Sequence, residues 1–155
     1  MTRSVPDLNQ ATEIATDDLF LDPKNPRLRD LDLGASPSQI AILRALWSKM
    51  AVDEVALSIA ENGFYRHEPL YATEEGGKLY VVEGNRRLAA VKLLRSEKLR
   101  QESRVTSLPS ISSGARKNLD TLPVIICKRD QVWAFLGFKH INGPQAWESL
   151  PKRTM

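Results

Sequence analysis

A chain of 155 residues is long enough for one domain with a real core and too short for two comfortable ones. With 42% hydrophobic and 26% charged residues it has a globular composition, and a net charge of only +3 excludes the overwhelming basic field that would announce nucleic acid by itself. Its single cysteine, Cys127, excludes an internal disulfide and a multi-cysteine zinc site, its two histidines (His67 and His140) lie far apart, and no apolar run approaches the roughly 18 residues of a membrane span.

The N-terminus is polar and carries no signal-peptide stretch, so the expectation is a cytoplasmic protein without membrane association. Residues 1–16 read as a flexible arm. In "DDLFLDPKNPRLRD", Leu19 to Leu21 form a short strand, and Pro23 and Pro26 keep the following loop extended. "GASPSQIAILRALWSKM" predicts a helix with Ser36 as cap and Pro37 in its first turn, its apolar face carried by Ile40, Leu43, Leu46, Trp47 and Met50. "VDEVALSIAENG" predicts a second helix, ended by Gly63. "EPLYAT" and "KLYVVEG" flank the short turn "EEGGK" as a hairpin. A helix from about Arg86 to Leu99 follows, with Leu88, Val91 and Leu94 as its stripe. The Ser-rich, basic stretch "RQESRVTSLPSISSGARKNLDT" reads as a long loop, and "LPVIICK" as a buried strand bounded by Pro123. Two helical stretches, "DQVWAFLGFKHI" and "GPQAWESLPKR", complete a chain whose abrupt end suggests truncation before a further region. The fold class expected is α+β, a small mixed sheet flanked by helices.

The chemistry concentrates at "YVVEGNRRLAAVKLL". Arg86 and Arg87 stand where a helix begins, the end that already carries positive partial charge. Gly84 offers a positive φ and close backbone approach, and the free N–H groups of the next turn form a prepared anion site. A bound anion would turn the arginines from a dipole penalty into a clamp. Neighbours on a helix diverge, so one arginine would meet the anion and the other a carboxylate, with Glu83 or the "DLD" segment as candidates. A solvated arginine pair at an ordinary strand-helix junction is the competing reading.

Three ordered motifs carry a resemblance. "DPKNPRLR", "LSIAENGFYRHEPLYA" and "YVVEGNRRLAAVKLL" resemble the "NPxQPR", "SIxxxGxxxP" and "GERRxRA" blocks of the N-terminal domain of the ParB/sulfiredoxin superfamily. The resemblance spans residues 17–130, with 131–155 as C-terminal helices before a missing DNA-binding region. It implies a ParB/sulfiredoxin-like sheet and helices, and a domain that binds a nucleotide, CTP or another NTP, with Mg²⁺ as a candidate companion. It implies a switch module of a DNA-associated protein, of the kind that serves chromosome or plasmid partition, and a homodimer. Gly84, Arg86 and Arg87 match the phosphate-holding positions, and Asn85 replaces the family's glutamate; Glu83 is a candidate substitute for that acid. Ser58, Gly63 and Pro69 match the second block, whose loop would cover the ligand's other side, with Glu61, Asn62 and His67 beside it. Asn25 and Arg27 match the first, where a plain turn at Asn25-Pro26 is an equal reading. His67 reads more simply as an exposed loop residue.

The largest departure lies after the last strand. Lys139, His140 and Asn142 stand where the family has an "ENxxR" helix, so the metal-holding glutamate is missing, although His140 could still contact an anion. Trp133, Phe135, Phe138 and Trp147 read as packing residues. Hydrolysis of CTP, phosphotransfer or nuclease chemistry on the same fold stay open, with no catalytic residue or metal ligand assigned. A third reading is a DNA-binding or protein-interaction domain without nucleotide: Lys92, Arg95, Lys98 and Arg100, with Arg104, Arg116 and Lys117, could hold phosphates, though Glu97 and Glu102 interrupt the run and make a solvated face the default.

Overall fold

Strand β1 (Thr12–Ala15) lies inside the segment expected to be a flexible arm. Its only large apolar residue is Ile14, so nothing in "TEIA" advertises a strand; it forms because it pairs antiparallel with β5, Thr12 opposite Val124 and Ala15 opposite Thr121. The computed structural model describes residues 11–105 and 107–134. Strand β2 (Leu19–Leu21) is followed by a 3₁₀ turn at Pro26–Leu31, then helices α1 (Gln39–Lys49) and α2 (Val52–Asn62). Strands β3 (Leu70–Glu75) and β4 (Lys78–Glu83) make the expected hairpin. Helices α3 (Asn85–Arg95), α4 (Glu97–Glu102) and α5 (Ser113–Asn118) precede β5 (Thr121–Ile126).

The fold class is α+β, as expected: one five-stranded mixed sheet in the order β1-β5-β3-β4-β2, flanked by helices. β5 runs parallel to β3, and β2 parallel to β4, while the other neighbours are antiparallel. Pro123 sits within β5 rather than bounding it, opposite Glu13 of the short edge strand. A proline is tolerated there because the edge pairing needs few ladder bonds. The other edge is closed by a side chain: Gln39 accepts from the Leu21 N–H at 2.8 Å and donates to its carbonyl at 2.9 Å.

Leu19, Leu21, Leu70, Ala72, Val81, Leu122 and Val124 give one face of the sheet to the main core. Helix α3 lies in that core and is buried beyond its predicted stripe, at Ala89, Ala90 and Leu93 as well as Leu88, Val91 and Leu94. The two alanines lack bulk, so neighbours can approach on faces that a longer side chain would hold off. On the opposite face Tyr71, Val82, Ile125 and Cys127 meet Val132, from a helix that begins at residue 129.

Three local expectations change for capping reasons. Ser38, not Ser36, caps α1, accepting from the Ala41 N–H at 3.1 Å, and Pro37 precedes the cap. The single helix over 86–99 is two, because the Ser96 hydroxyl accepts from the Leu99 N–H at 3.0 Å and starts α4 afresh. The expected loop after it contains α5, started in the same way by Ser112. Serine side chains that compete with the backbone end one helix by starting the next.

Candidate anion-binding site

The turn from β4 into α3 is set by Gly84, at φ 107° and ψ 20°. A Cβ at this position would collide with Leu70 Cδ2 and lie 3.1 Å from Arg87 Nη2. The close approach that requires glycine is therefore made by a core leucine, where the sequence suggested a ligand. Just before the turn the β3–β4 register shifts, Tyr71 facing Glu83 and Ala72 facing Val81, which leaves Val82 as the extra residue of a bulge.

Asn85 opens α3 and is buried. Its Nδ2 donates to the Val81 carbonyl at 2.8 Å, and its Oδ1 accepts from the Asp22 N–H at 3.0 Å. An amide supplies both the donor and the acceptor that this corner needs; a carboxylate would supply only acceptors. The amide at this position thus has a local cause, and the side chain faces the protein's interior rather than a ligand.

The two arginines diverge as expected, but neither meets a carboxylate. Among the described residues no acidic side chain ion-pairs with Arg86 or Arg87. Arg86 Nη2 lies 3.5 Å from the Ala51 carbonyl, and its Nε is buried with no hydrogen-bond partner among the described residues. Arg87 donates to the carbonyl of Glu68, reaches that of Pro69 at 3.5 Å, and lies over the Phe64 ring, 5.4 Å from its centroid. Burial pulls the Arg87 pKa down, and the charges of Glu68 and Glu83 oppose that shift. Arg87 fastens the loop after α2, and Arg86 keeps unused donor capacity.

The three sequence motifs meet at the first turn of α3. The loop after Gly63 arrives through Phe64, Glu68 and Pro69; the α1–α2 junction arrives through Ala51, itself left-handed at φ 55°. The proline loop arrives through Asp22, whose carbonyl accepts from the Asn25 N–H at 3.1 Å. Asn25 uses its side chain locally, accepting from the Arg27 N–H at 3.0 Å and capping the 3₁₀ turn, while the Arg27 side chain is exposed. Lys24, Asn25 and Arg29 line a concavity of about 360 Å³ on this loop. Gly63 ends α2 at φ 80°, and Ser58 and Glu61 are exposed on α2. His67 is exposed, with its ring centroid 5.3 Å from that of Tyr65. His140, Lys139, Asn142, Phe135, Phe138 and Trp147 lie outside the described residues.

One cluster escaped the sequence reading. Arg129 grips the fully buried Asp22 with two bonds of 2.6 and 3.1 Å and holds Glu75 with two more of 3.1 and 3.0 Å. Lys24 adds a contact to Glu75 at 3.6 Å. The two carboxylates raise the Arg129 pKa, and Arg129 lowers that of Glu75. Asp22 and Arg129 are 107 positions apart, so no local pattern could have paired them. The same clamp fixes the root of the proline loop beside α3.

The proposed DNA-facing stripe is mostly committed inward. Lys92 donates to the Thr16 carbonyl at 3.3 Å and lies 5.9 Å from the Phe20 ring, and burial lowers its pKa. Arg95 pairs with Asp17 at 2.9 Å and Asp120 at 3.0 Å. Arg100 donates to the Leu93 carbonyl at 2.6 Å, closing the C-terminus of α3. Each of these three is engaged by a carbonyl or carboxylate, whereas Lys98, Arg104, Arg116 and Lys117 are exposed. Trp133, expected to pack, is 43% exposed, and burial pushes the Cys127 thiol up to about 11. Among the described residues no three His, Cys, Asp or Glu side chains are grouped to hold a metal ion, and no helix is long and apolar enough to cross a membrane.

No protein-family model matches this chain, and a search of curated proteins finds no match. Among solved structures it is similar to the C-terminally truncated chromosome-partitioning protein ParB from Caulobacter crescentus, complexed with CTP-gamma-S. That similarity has 17% sequence identity and a TM-score of 0.42, and covers 87% of this chain and 53% of the ParB chain. The chain spans about half the length of that ParB.

Proposed function

We infer that the first turn of α3 is a phosphate-binding corner and that the chain is a nucleotide-binding switch module of a DNA-associated protein. The observation that supports this is the meeting of the three motif segments around an arginine pair that has no ion-pair partner among the described residues. Helical N–H groups at the start of α3 and the Arg86 guanidinium are the donors; Arg87 holds the covering loop in place. CTP is the first nucleotide to try, because the ParB to which the chain is similar was crystallised with CTP-gamma-S. Asn85 stands where the motif that the chain resembles has an acid, and it is bonded inward, so the reading is of nucleotide binding.

Isothermal titration with each of the four NTPs, with and without Mg²⁺, tests it. Binding of one nucleotide is expected, weakened by roughly tenfold or more in Arg86→Ala, the loss typical of one charge-assisted hydrogen bond. Arg86 is the discriminating position because its removal leaves the Arg87 contacts with the covering loop intact. The reading fails if the wild type binds none of the four at millimolar concentration.

A further inference from the structure

A second concave surface, of about 460 Å³, lies on the outer face of α1. Ala41, Arg44, Ala45 and Ser48 line it at i, i+3, i+4 and i+7, one face of the helix. Leu31, Leu33 and Trp47 add apolar walls, and Arg104 stands on its rim from beyond the end of α4. Two alanines one turn apart leave a furrow into which the side-chain ridge of another helix fits.

The charge at this furrow is one-sided. Arg44, Lys49 and Arg104 are all exposed, no acidic residue lines it, and among the described residues none of the three forms an ion pair. Arg66 and Arg95 by contrast have carboxylate partners, Glu13 for the first and Asp17 and Asp120 for the second. Arg104 is also held at a conformational cost. It has φ 61°, and the Val105 N–H bonds to the Arg100 carbonyl at 2.8 Å while its own bonds to that of Gln101 at 3.2 Å. This is the helix-ending motif whose left-handed position favours glycine, so a guanidinium occupies the place where the backbone would prefer no side chain.

We propose that this furrow docks an acidic amphipathic helix of another protein, with apolar residues against Ala41, Ala45 and Trp47 and carboxylates toward Arg44, Lys49 and Arg104. The helix-in-groove mode fits the i, i+3, i+4, i+7 lining, and the apolar floor distinguishes it from a surface built for a phosphate backbone. The chain's own flanking segments are poor complements. Residues 1–10 carry Arg3 and Asp7, and residues 135–155 carry Glu148 against Lys139, Lys152 and Arg153. The proposal is independent of the nucleotide reading, since the furrow shares no residue with the first turn of α3.

The test is fluorescence anisotropy of the full chain with a labelled model peptide of about 16 residues, four to five helical turns, with leucines at helical spacing and glutamates between them. A lysine-for-glutamate version and a single-stranded oligonucleotide of equal charge are the controls. The acidic peptide is expected to bind with Kd of roughly 1–50 μM, as for a small interface with few anchors, and to weaken as salt rises. Arg44→Glu and Arg104→Gly should each weaken it by about tenfold, since each removes a carboxylate partner. Arg104→Gly relieves the left-handed strain and should melt no lower than the wild type, which separates lost binding from lost folding. The proposal is overturned by absent binding at millimolar peptide, by affinity unchanged in both variants, or by equally tight oligonucleotide binding. It is also overturned if sedimentation shows a dimer that Arg44→Glu dissociates, because the furrow then belongs to a second copy of this chain.

Discussion

Gly84 ties the core to the candidate site at a single Cα. The residue needs a left-handed backbone, which costs an alanine about 1–2 kcal/mol, and its missing side chain admits Leu70 against the start of α3. Gly84→Ala should therefore destabilise the fold by about 3 kcal/mol, the backbone term plus the strain of an overpacked methyl. Urea unfolding checks this, and a loss below about 0.5 kcal/mol, within the usual range for surface substitutions, would mean that Leu70 has room to move. Asn85 and the arginines show the complementary lesson. From the sequence, one arginine is expected to meet an anion and the other a carboxylate, whereas the structure turns Asn85 inward to Val81 and Asp22 and gives Arg87 to the loop carbonyls. Spacing along a helix shows that neighbours diverge; it cannot show which one faces the interior.

Among the elements, those marked by backbone chemistry were the legible ones. Gly63 stops α2, Gly76 and Gly77 turn the hairpin with positive φ, and Gly84 starts α3, each where the sequence indicated. Strand β1 was not legible because its pairing with β5 gives "TEIA" its conformation, and a half-exposed edge strand leaves no alternating pattern to read. The Asp22–Arg129–Glu75 clamp was invisible for a related reason, joining three elements remote in sequence. It joins the ends of β2 and β3 to the segment after β5. Arg129→Met should leave the fully buried Asp22 side chain without its guanidinium partner, at a loss of about 3–5 kcal/mol. Asp22→Asn with Arg129→Met should recover much of that loss, because the pair is then removed rather than broken. Equal stability of the single and double variants in urea unfolding would show that the clamp's charges are solvated.

At the scale of the whole molecule, the acid limb of stability should be governed by carboxylates that arginines hold. Glu75 has its pKa lowered chiefly by its hydrogen bonds from Arg129, and Asp17 chiefly by that from Arg95. As the pH falls below the ordinary carboxylate range, the unfolded chain takes up protons at these positions before the folded one does. Stability present above about pH 4.5 is therefore lost progressively as pH drops through the lowered folded values. Asp17 contributes little, since its side chain is 81% exposed and water screens the pair. Glu75 is more enclosed and shares its arginine with a buried aspartate, so it should contribute the larger part. Urea midpoints measured from pH 7 to pH 3 should fall mainly below about pH 5, and the fall should be shallower in Glu75→Gln than in Asp17→Asn. The Arg129 clamp would have no place in the acid limb if the Glu75→Gln profile kept the full wild-type slope while Asp17→Asn flattened it.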